Sequence, residues 1–198
     1  MTPLMPLTII GVDADDTLWH TETVFRLTHK RFNELLADFA DEDTLEARLA
    51  TIERENMKAY GYGAKGFTLS MIETALTLTG GKVPTTAIAE ILSAGREMLT
   101  HPVETLPHVR DTLQALSGAY RLMLITKGDL FDQERKLAQS GLGDLFTAVE
   151  IVSEKSAATY DQIFRRHGDG AGRAMMVGNS LKSDIVPAIA AGSWGIYV

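Results

Sequence analysis

Asp13, Asp15 and Asp16 crowd the end of a short apolar run in the segment IIGVDADDTLW, residues 9–19. Two unit charges roughly 5 Å apart repel by about 3 kcal/mol at an effective dielectric near ~20. Three such groups side by side therefore require a raised pKa, a neighbouring cation, or full exposure to water. Carboxylates in this arrangement are suited to nucleophilic attack, to proton transfer, or to holding a hard divalent cation. Three later apolar runs also end in polar groups. One leads to Thr126, Lys127 and Gly128, and a second to Ser153, Glu154 and Lys155. A third leads to Gly178, Asn179 and Ser180, then Lys182, Ser183 and Asp184.

The elements that hold these residues follow from the apolar pattern. LTIIGVD is a short continuous apolar run, the signature of a strand buried on both faces of a parallel sheet. A long stretch of helical period follows, with Val24, Phe32, Leu35, Leu36 and Phe39 on one face and Leu45, Leu49 and Ile52 on the next. TLSMIETALTLTGG ends in a glycine pair suited to a helix C-cap, and PTTAIAEILSAGREML stops before Pro102. After LPHVRDTLQALSG the pattern becomes strand–helix alternation. RLMLIT precedes DLFDQERKLAQSG, AVEIV precedes SAATYDQIFRRHG, AMMVG precedes SDIVPAIAAG, and WGIYV comes last. This alternation predicts βαβ units: an α/β fold with a Rossmann-like parallel sheet core and an inserted all-helical segment. The expected core is residues 1–18 with 104–198, and the expected insertion is 19–103.

Ligands of open α/β sheets bind at the carboxyl ends of the strands. The four polar strand ends offer carboxylates, a hydroxyl and an ammonium, which is the inventory of phosphoryl transfer: nucleophile, proton shuttle, cation site and positive charge on the phosphate. Here a family resemblance enters. DADDT, LITKG, Lys155 and GNSLKSD resemble, in order, the four motifs of the haloacid dehalogenase (HAD) superfamily of phosphohydrolases. The insertion after the first motif resembles that superfamily's C1-type helical cap. The resemblance implies a Mg²⁺-dependent phosphatase acting on a small phosphorylated metabolite through an aspartyl-phosphate. It implies Asp13 as nucleophile, Asp15 as acid–base, and Thr126 and Lys155 on the phosphoryl group. It also implies Asp13, the Asp15 main-chain carbonyl, Asp184 and Asn179 around the Mg²⁺. Two positions depart from the superfamily pattern. Asn179 stands where an aspartate is usual, which removes one negative charge from the metal site. Asp16 stands where glycine is usual, and aspartate tolerates turn and left-handed geometry. The cap is expected to move as a lid.

Plainer readings exist for each signal. DADDT alone fits an acidic turn capping a helix, and Lys155 alone fits a surface lysine. Lys127 is expected to be exposed or secondary, the five histidines structural, and Met175 and Met176 core. The loop YGYGAKGF, residues 60–67 with Lys65, fits a plain connection or a substrate-facing one. A phospho-acceptor receiver domain needs its aspartate on a middle strand, and RLMLIT ends in threonine instead. A haloacid dehalogenase-type hydrolase uses the aspartate nucleophile without a second acid two residues on. A non-catalytic phosphate- or metal-binding relative is the remaining alternative.

A chain of 198 residues, 45% hydrophobic and 23% charged, has ordinary globular composition and room for one core domain with an insertion. Its net charge of −7 supplies no cationic field for nucleic acid or anionic membrane. The absence of cysteine excludes disulfides and thiolate metal sites. No run approaches the ~20 apolar residues of a membrane span, and the first residues lack the basic n-region of a leader. These features predict a cytoplasmic monomer or homodimer. SWGIYV reads as a buried strand with nothing after it to cover it, so the native chain is expected to continue beyond Val198.

Overall fold

The computed structural model describes residues 6–198; the reading of the N-terminal segment as carrying no leader falls partly on residues 1–5, outside that range. The chain divides into two compact units, one comprising residues up to His20 together with Val103–Val198, the other Thr21–Pro102.

The first unit is an α/β Rossmann-like core. Its strands are β1 (Ile9–Val12), β2 (Arg121–Lys127), β3 (Ala148–Val152), β4 (Ala174–Gly178) and β5 (Trp194–Tyr197). They form one all-parallel sheet in the order β3-β2-β1-β4-β5. β1 lies at its centre, so all four residues of IIGV are buried. Side chains alternate along each strand and feed two cores, one on each sheet face. Ile9, Met123, Ile125, Tyr160, Phe164 and Met176 pack on one. Ile10, Val12, Leu113, Leu122, Leu124 and Leu142 pack on the other. Met176 is fully buried and Met175 packs partly buried against the second cluster, so both methionines belong to the core.

Four helices complete this unit. The first two of them are Val109–Ser117 and Leu130–Ser140; the others are Ala157–His167 and Val186–Ala190. Counted along the whole chain they are α5, α6, α7 and α8, because the second unit contributes α1 (Glu22–Leu36), α2 (Glu42–Tyr60), α3 (Ala64–Leu78) and α4 (Thr85–Thr100). Asp129 caps α6, its carboxylate accepting from Asp132 N at 3.0 Å. Ser156 caps α7 in the same way through Thr159 N at 3.1 Å.

The helical unit has its own core of Phe32, Leu36, Leu45, Leu49, Phe67, Met71, Ile91 and Met98. Buried hydroxyls of α3 are satisfied within the helix: Thr68 donates to Ala64 O at 2.7 Å and Thr74 to Ser70 O at 2.7 Å. α3 ends at Leu78, and Gly80 and Gly81 take positive φ in the turn that follows. His29 stacks on Phe67 with ring centroids 4.8 Å apart, a packing role.

Three sequence expectations need correction. Phe39 lies beyond the end of α1 and is exposed, because Asp41 already caps α2 and leaves too few residues for another turn. The glycine-rich loop is shorter than read: α3 begins at Ala64, so Lys65 and Phe67 are helical. β5 is a strand but not a buried one. Among the described residues it pairs only with β4, at the sheet edge, and Trp194, Ile196 and Tyr197 are all exposed. Burial of a strand depends on its place in the sheet order, which its own residues do not encode. Among the described residues no helix is long and apolar enough to cross a membrane.

Candidate active site

The carboxyl ends of β1, β2 and β4, with the loop after β3, place the polar residues of the four motifs. Asp13 directly follows β1, where its N–H donates to Val177 O at 2.9 Å and anchors it between the central strands. Lys155 follows β3 and Asp184 sits in a π-type turn, Leu181–Ile185, after β4. All three are buried. The Lys155 ammonium donates to Asp13 Oδ1 and, at 2.7 Å, to Asp184 Oδ1. Residues 142 and 29 positions apart in sequence thus share one ion cluster. Asp184 is further held by Ser180 N, which donates to its Oδ2 at 2.9 Å. Gly178 must be glycine for this turn to close, because a Cβ there would collide with the Asp184 carboxylate. Burial raises the Asp13 carboxyl above its ordinary pKa, Lys155 opposes the rise, and the Asp184 charge adds to it.

Thr17 completes this cluster, and its role was not read from the sequence. Its hydroxyl donates to Asp13 Oδ2 at 3.1 Å and accepts from Asn179 N at 3.2 Å. The available signal was its position four residues after Asp13, which lets one turn of chain bring hydroxyl and carboxylate together. Thr126 is buried at the end of β2, with its hydroxyl 3.5 Å from Lys127 O, too long a contact to hold it firmly. Lys127 is neither exposed nor idle. Its ammonium reaches Ser183 Oγ at 3.1 Å and Glu154 at 3.6 Å, bracing the loops that carry Asp184 and Lys155. Tyr160 donates its hydroxyl to Ser183 O at 3.1 Å on the same loop. Burial pushes that phenol upward, and the Asp184 and Asp13 charges push it the same way.

Asp15 belongs to a second network. Its Oδ1 accepts from Trp19 Nε1 at 2.8 Å and from Lys136 Nζ at 3.0 Å, and its Oδ2 accepts from Gln133 Nε2 at 2.8 Å. Trp19 is fixed by an antiparallel bridge to Thr105, with His20 N donating to Glu104 O at 3.1 Å and Leu106 N to Leu18 O at 2.9 Å. Burial by itself would raise the Asp15 carboxyl. Lys136, Gln133 and Trp19 outweigh it and hold the group below its ordinary value. Asp16 occupies the left-handed region at φ 58° and turns the chain, its N–H donating to Trp19 O at 2.8 Å. The carboxylates are thus divided between two cations: Asp13 pairs with Lys155, which it shares with Asp184, and Asp15 with Lys136, which it shares with Asp132.

The donor set around Asp13 fits a hard cation. Asp13 and Asp184 are buried carboxylates gathered on one ammonium, and Asn179 is tethered beside Asp13 through Thr17. Oxygen donors of this kind, with waters completing the shell, suit Mg²⁺. Among the described residues no three His, Cys, Asp or Glu side chains gather as a metal cluster. A metal here would therefore draw on an amide or main-chain oxygen besides the two carboxylates. The arrangement supplies a buried carboxylate beside an ammonium, with a second carboxylate two residues away held separately. That combination is suited to covalent catalysis assisted by proton transfer.

Known proteins of the same build agree with this architecture. A structure of a haloacid dehalogenase-like family hydrolase from Xanthomonas campestris is 44% identical, covering all of this chain and 86% of that one, with a TM-score of 0.93. A predicted phosphoglycolate phosphatase from Haemophilus somnus is 20% identical over 98% of this chain and 86% of that one, TM-score 0.65. A 2-haloacid dehalogenase from Pseudomonas syringae is 21% identical over 96% and 86%, TM-score 0.62. The last two share the fold. No curated protein matches the sequence. The family model for haloacid dehalogenase-like hydrolases matches residues 7–192, and the chain belongs to that family.

Proposed function

We propose that this hydrolase is a Mg²⁺-dependent phosphatase that cleaves a small phosphomonoester through an aspartyl-phosphate. The observation that carries this reading is the separate anchoring of Asp15. A carboxylate two residues from the nucleophile, held by three donors of its own, is what a two-step phosphoryl transfer needs. In the first step an Asp13 oxygen attacks phosphorus and the bond to the ester oxygen breaks, with Asp15 supplying a proton to the leaving oxygen. In the second step water attacks phosphorus, Asp15 takes its proton, and the bond to Asp13 breaks to release phosphate. Lys155 and Thr126 hold the phosphoryl oxygens. Lys136, Gln133 and Trp19 keep Asp15 ionised, which is the state the second step requires; for the first step the carboxylate takes up a proton from solvent, which it then passes to the leaving oxygen.

Asp13, the Asp15 main-chain carbonyl, Asp184 and Asn179 would hold Mg²⁺. When bound, the ion supplies positive charge beside the phosphoryl oxygens. The remaining residues act on their own account: Thr17 orients Asp13, Ser180 orients Asp184, and Lys127 braces the two loops. A carbon–halogen hydrolase needs the nucleophile but no proton for a departing halide, so the anchoring of Asp15 favours phosphate.

The test is turnover of a generic aryl phosphate with Mg²⁺ or with excess chelator, beside release of halide from a 2-haloacid. Metal-dependent phosphate release without halide release is expected. Halide release alone, or turnover untouched by chelator, would refute the assignment.

A further inference from the structure

We propose that α6 carries the positioning residues of the acid–base aspartate: Gln133 and Lys136 fix the Asp15 carboxylate for both proton transfers. This inference rests on the assignment of Asp15 given above. Gln133 and Lys136 lie three residues apart on one face of α6 and reach Asp15 across 118 and 121 residues of sequence. Each is itself held. Lys136 also contacts Asp132 Oδ2 at 3.2 Å, and Asp132 is paired with Arg135 at 2.8 Å, so the ammonium is pinned between Asp15 and a carboxylate in the first turn of α6. Its side chain is only 11% exposed, whereas that of Asp15 keeps 28% of its surface. The aspartate is thus gripped from one side and left open on another, as a group that exchanges protons with a substrate must be.

Gln133 gives the more telling observation. It is buried, and its Oε1 has no hydrogen-bond partner among the described residues. Leaving a buried acceptor without a protein partner is unfavourable. A side chain present only to fill the core would be apolar. The amide is turned so that its N–H satisfies Asp15 while its own oxygen goes without. Gly128, at φ 142°, makes room for it, since a Cβ there would lie 3.0 Å from Nε2 in a backbone conformation that L side chains rarely adopt. Neither residue touches the reacting atoms. Both act through Asp15, whose misplacement by about an ångström is worth on the order of 100-fold in rate.

The experiment compares wild type with Lys136→Met, Gln133→Leu and the isosteric Gln133→Glu, using an aryl phosphate and rapid mixing. An activated leaving group needs little proton donation, so the first step should stay within about threefold of wild type. Hydrolysis of the aspartyl-phosphate should slow by about 10- to 100-fold. The signature is a burst of product followed by slow turnover, with acid-stable label on the protein that hydroxylamine removes. Gln133→Glu preserves volume but sets a carboxylate against Asp15, so it should be at least as slow as Gln133→Leu. If it matches wild type, Gln133 is a packing residue and the inference falls. Equal slowing of both steps without accumulated intermediate would show a merely structural role and overturn it too. Wild-type protein inactive on every phosphate ester would instead refute the underlying phosphatase assignment, and the inference with it.

Discussion

Replacing Lys155 by methionine removes the one ammonium shared by Asp13 and Asp184 while keeping most of its buried volume. Both carboxylates contact the same nitrogen, so their oxygens lie roughly 5 Å apart at most, where unscreened like charges repel by about 3 kcal/mol at an effective dielectric near 20. Breaking a buried ion pair by removing one partner costs about 3–5 kcal/mol, in the same range. For a chain of this size a loss of about 3 kcal/mol lowers Tm by roughly 6–12 °C. The deficit should depend on pH in a definite direction. The Asp13 carboxyl already titrates above its ordinary value because it is buried, and loss of Lys155 removes the charge that opposes this. A carboxyl raised in the folded state contributes stability that is present at low pH and lost as pH rises through the raised pKa. The variant should therefore lie closer to wild type at about pH 5 than at about pH 7.5. Mg²⁺ held by Asp13 and Asp184 would restore positive charge to the cluster, so it should raise the Tm of the variant more than that of wild type. Thermal unfolding in chelator and in excess Mg²⁺, at both pH values, tests all three points. Equal Tm for variant and wild type in chelator near neutral pH would refute the electrostatic account of the cluster. An equal Mg²⁺ effect on both proteins would refute the placement of the metal.

Four further outcomes are expected. Asp13→Asn should abolish turnover while retaining, or tightening, binding of inorganic phosphate measured by calorimetry; wild-type turnover would remove Asp13 as nucleophile. Asp15→Asn should lower turnover of an unactivated alkyl phosphate by about 10²–10⁴-fold, and unchanged rates on both alkyl and aryl esters would exclude it as the acid–base. Asp184→Asn should raise the Mg²⁺ concentration for half-maximal activity by about tenfold or more, equivalent to about 1.4 kcal/mol. Asn179→Asp should leave an active enzyme and move that concentration downward, and the reverse order of the two variants would exclude Asp184 as the stronger ligand.

The parallel sheet was legible in the sequence because its strands are short continuous apolar runs, and β3 and β4 occupy the very segments that AVEIV and AMMVG mark. The strand ends then pointed to Asp13, Lys155 and Asp184, which the structure joins in one cluster. The same rule pointed to Thr126, whose hydroxyl the structure leaves loosely held. What was not legible depends on tertiary neighbours. Gln133 and Lys136 lie in a segment read only as a helix, and the packing of α6 beside the end of β1 is what turns them toward Asp15. Trp19 is buried, and the direction of its indole N–H is set by the bridge to Thr105, which no local signal encodes. The exposure of β5 follows from sheet order, and sheet order comes from the crossovers as a set rather than from any one strand.

The same contrast bears on which reaction the fold performs here. The Asp13–Lys155–Asp184 cluster would serve any attack by a carboxylate, whether on phosphorus or on carbon, since it only buries, orients and neutralises the nucleophile. Asp15 serves a narrower set. A halide departs as a stable anion and asks for no proton, whereas an alkoxide leaving phosphorus does. Holding Asp15 requires Trp19 from the bridge beside β1, and Gln133 and Lys136 from α6, with Asp132 and Arg135 behind Lys136. It turns the Gln133 amide N–H toward Asp15, with Oε1 left without a partner among the described residues. A network of that extent around the second aspartate is intelligible where the chemistry moves protons to and from oxygen, and for that reason a phosphate ester, rather than a carbon–halogen bond, is the substrate class to test first.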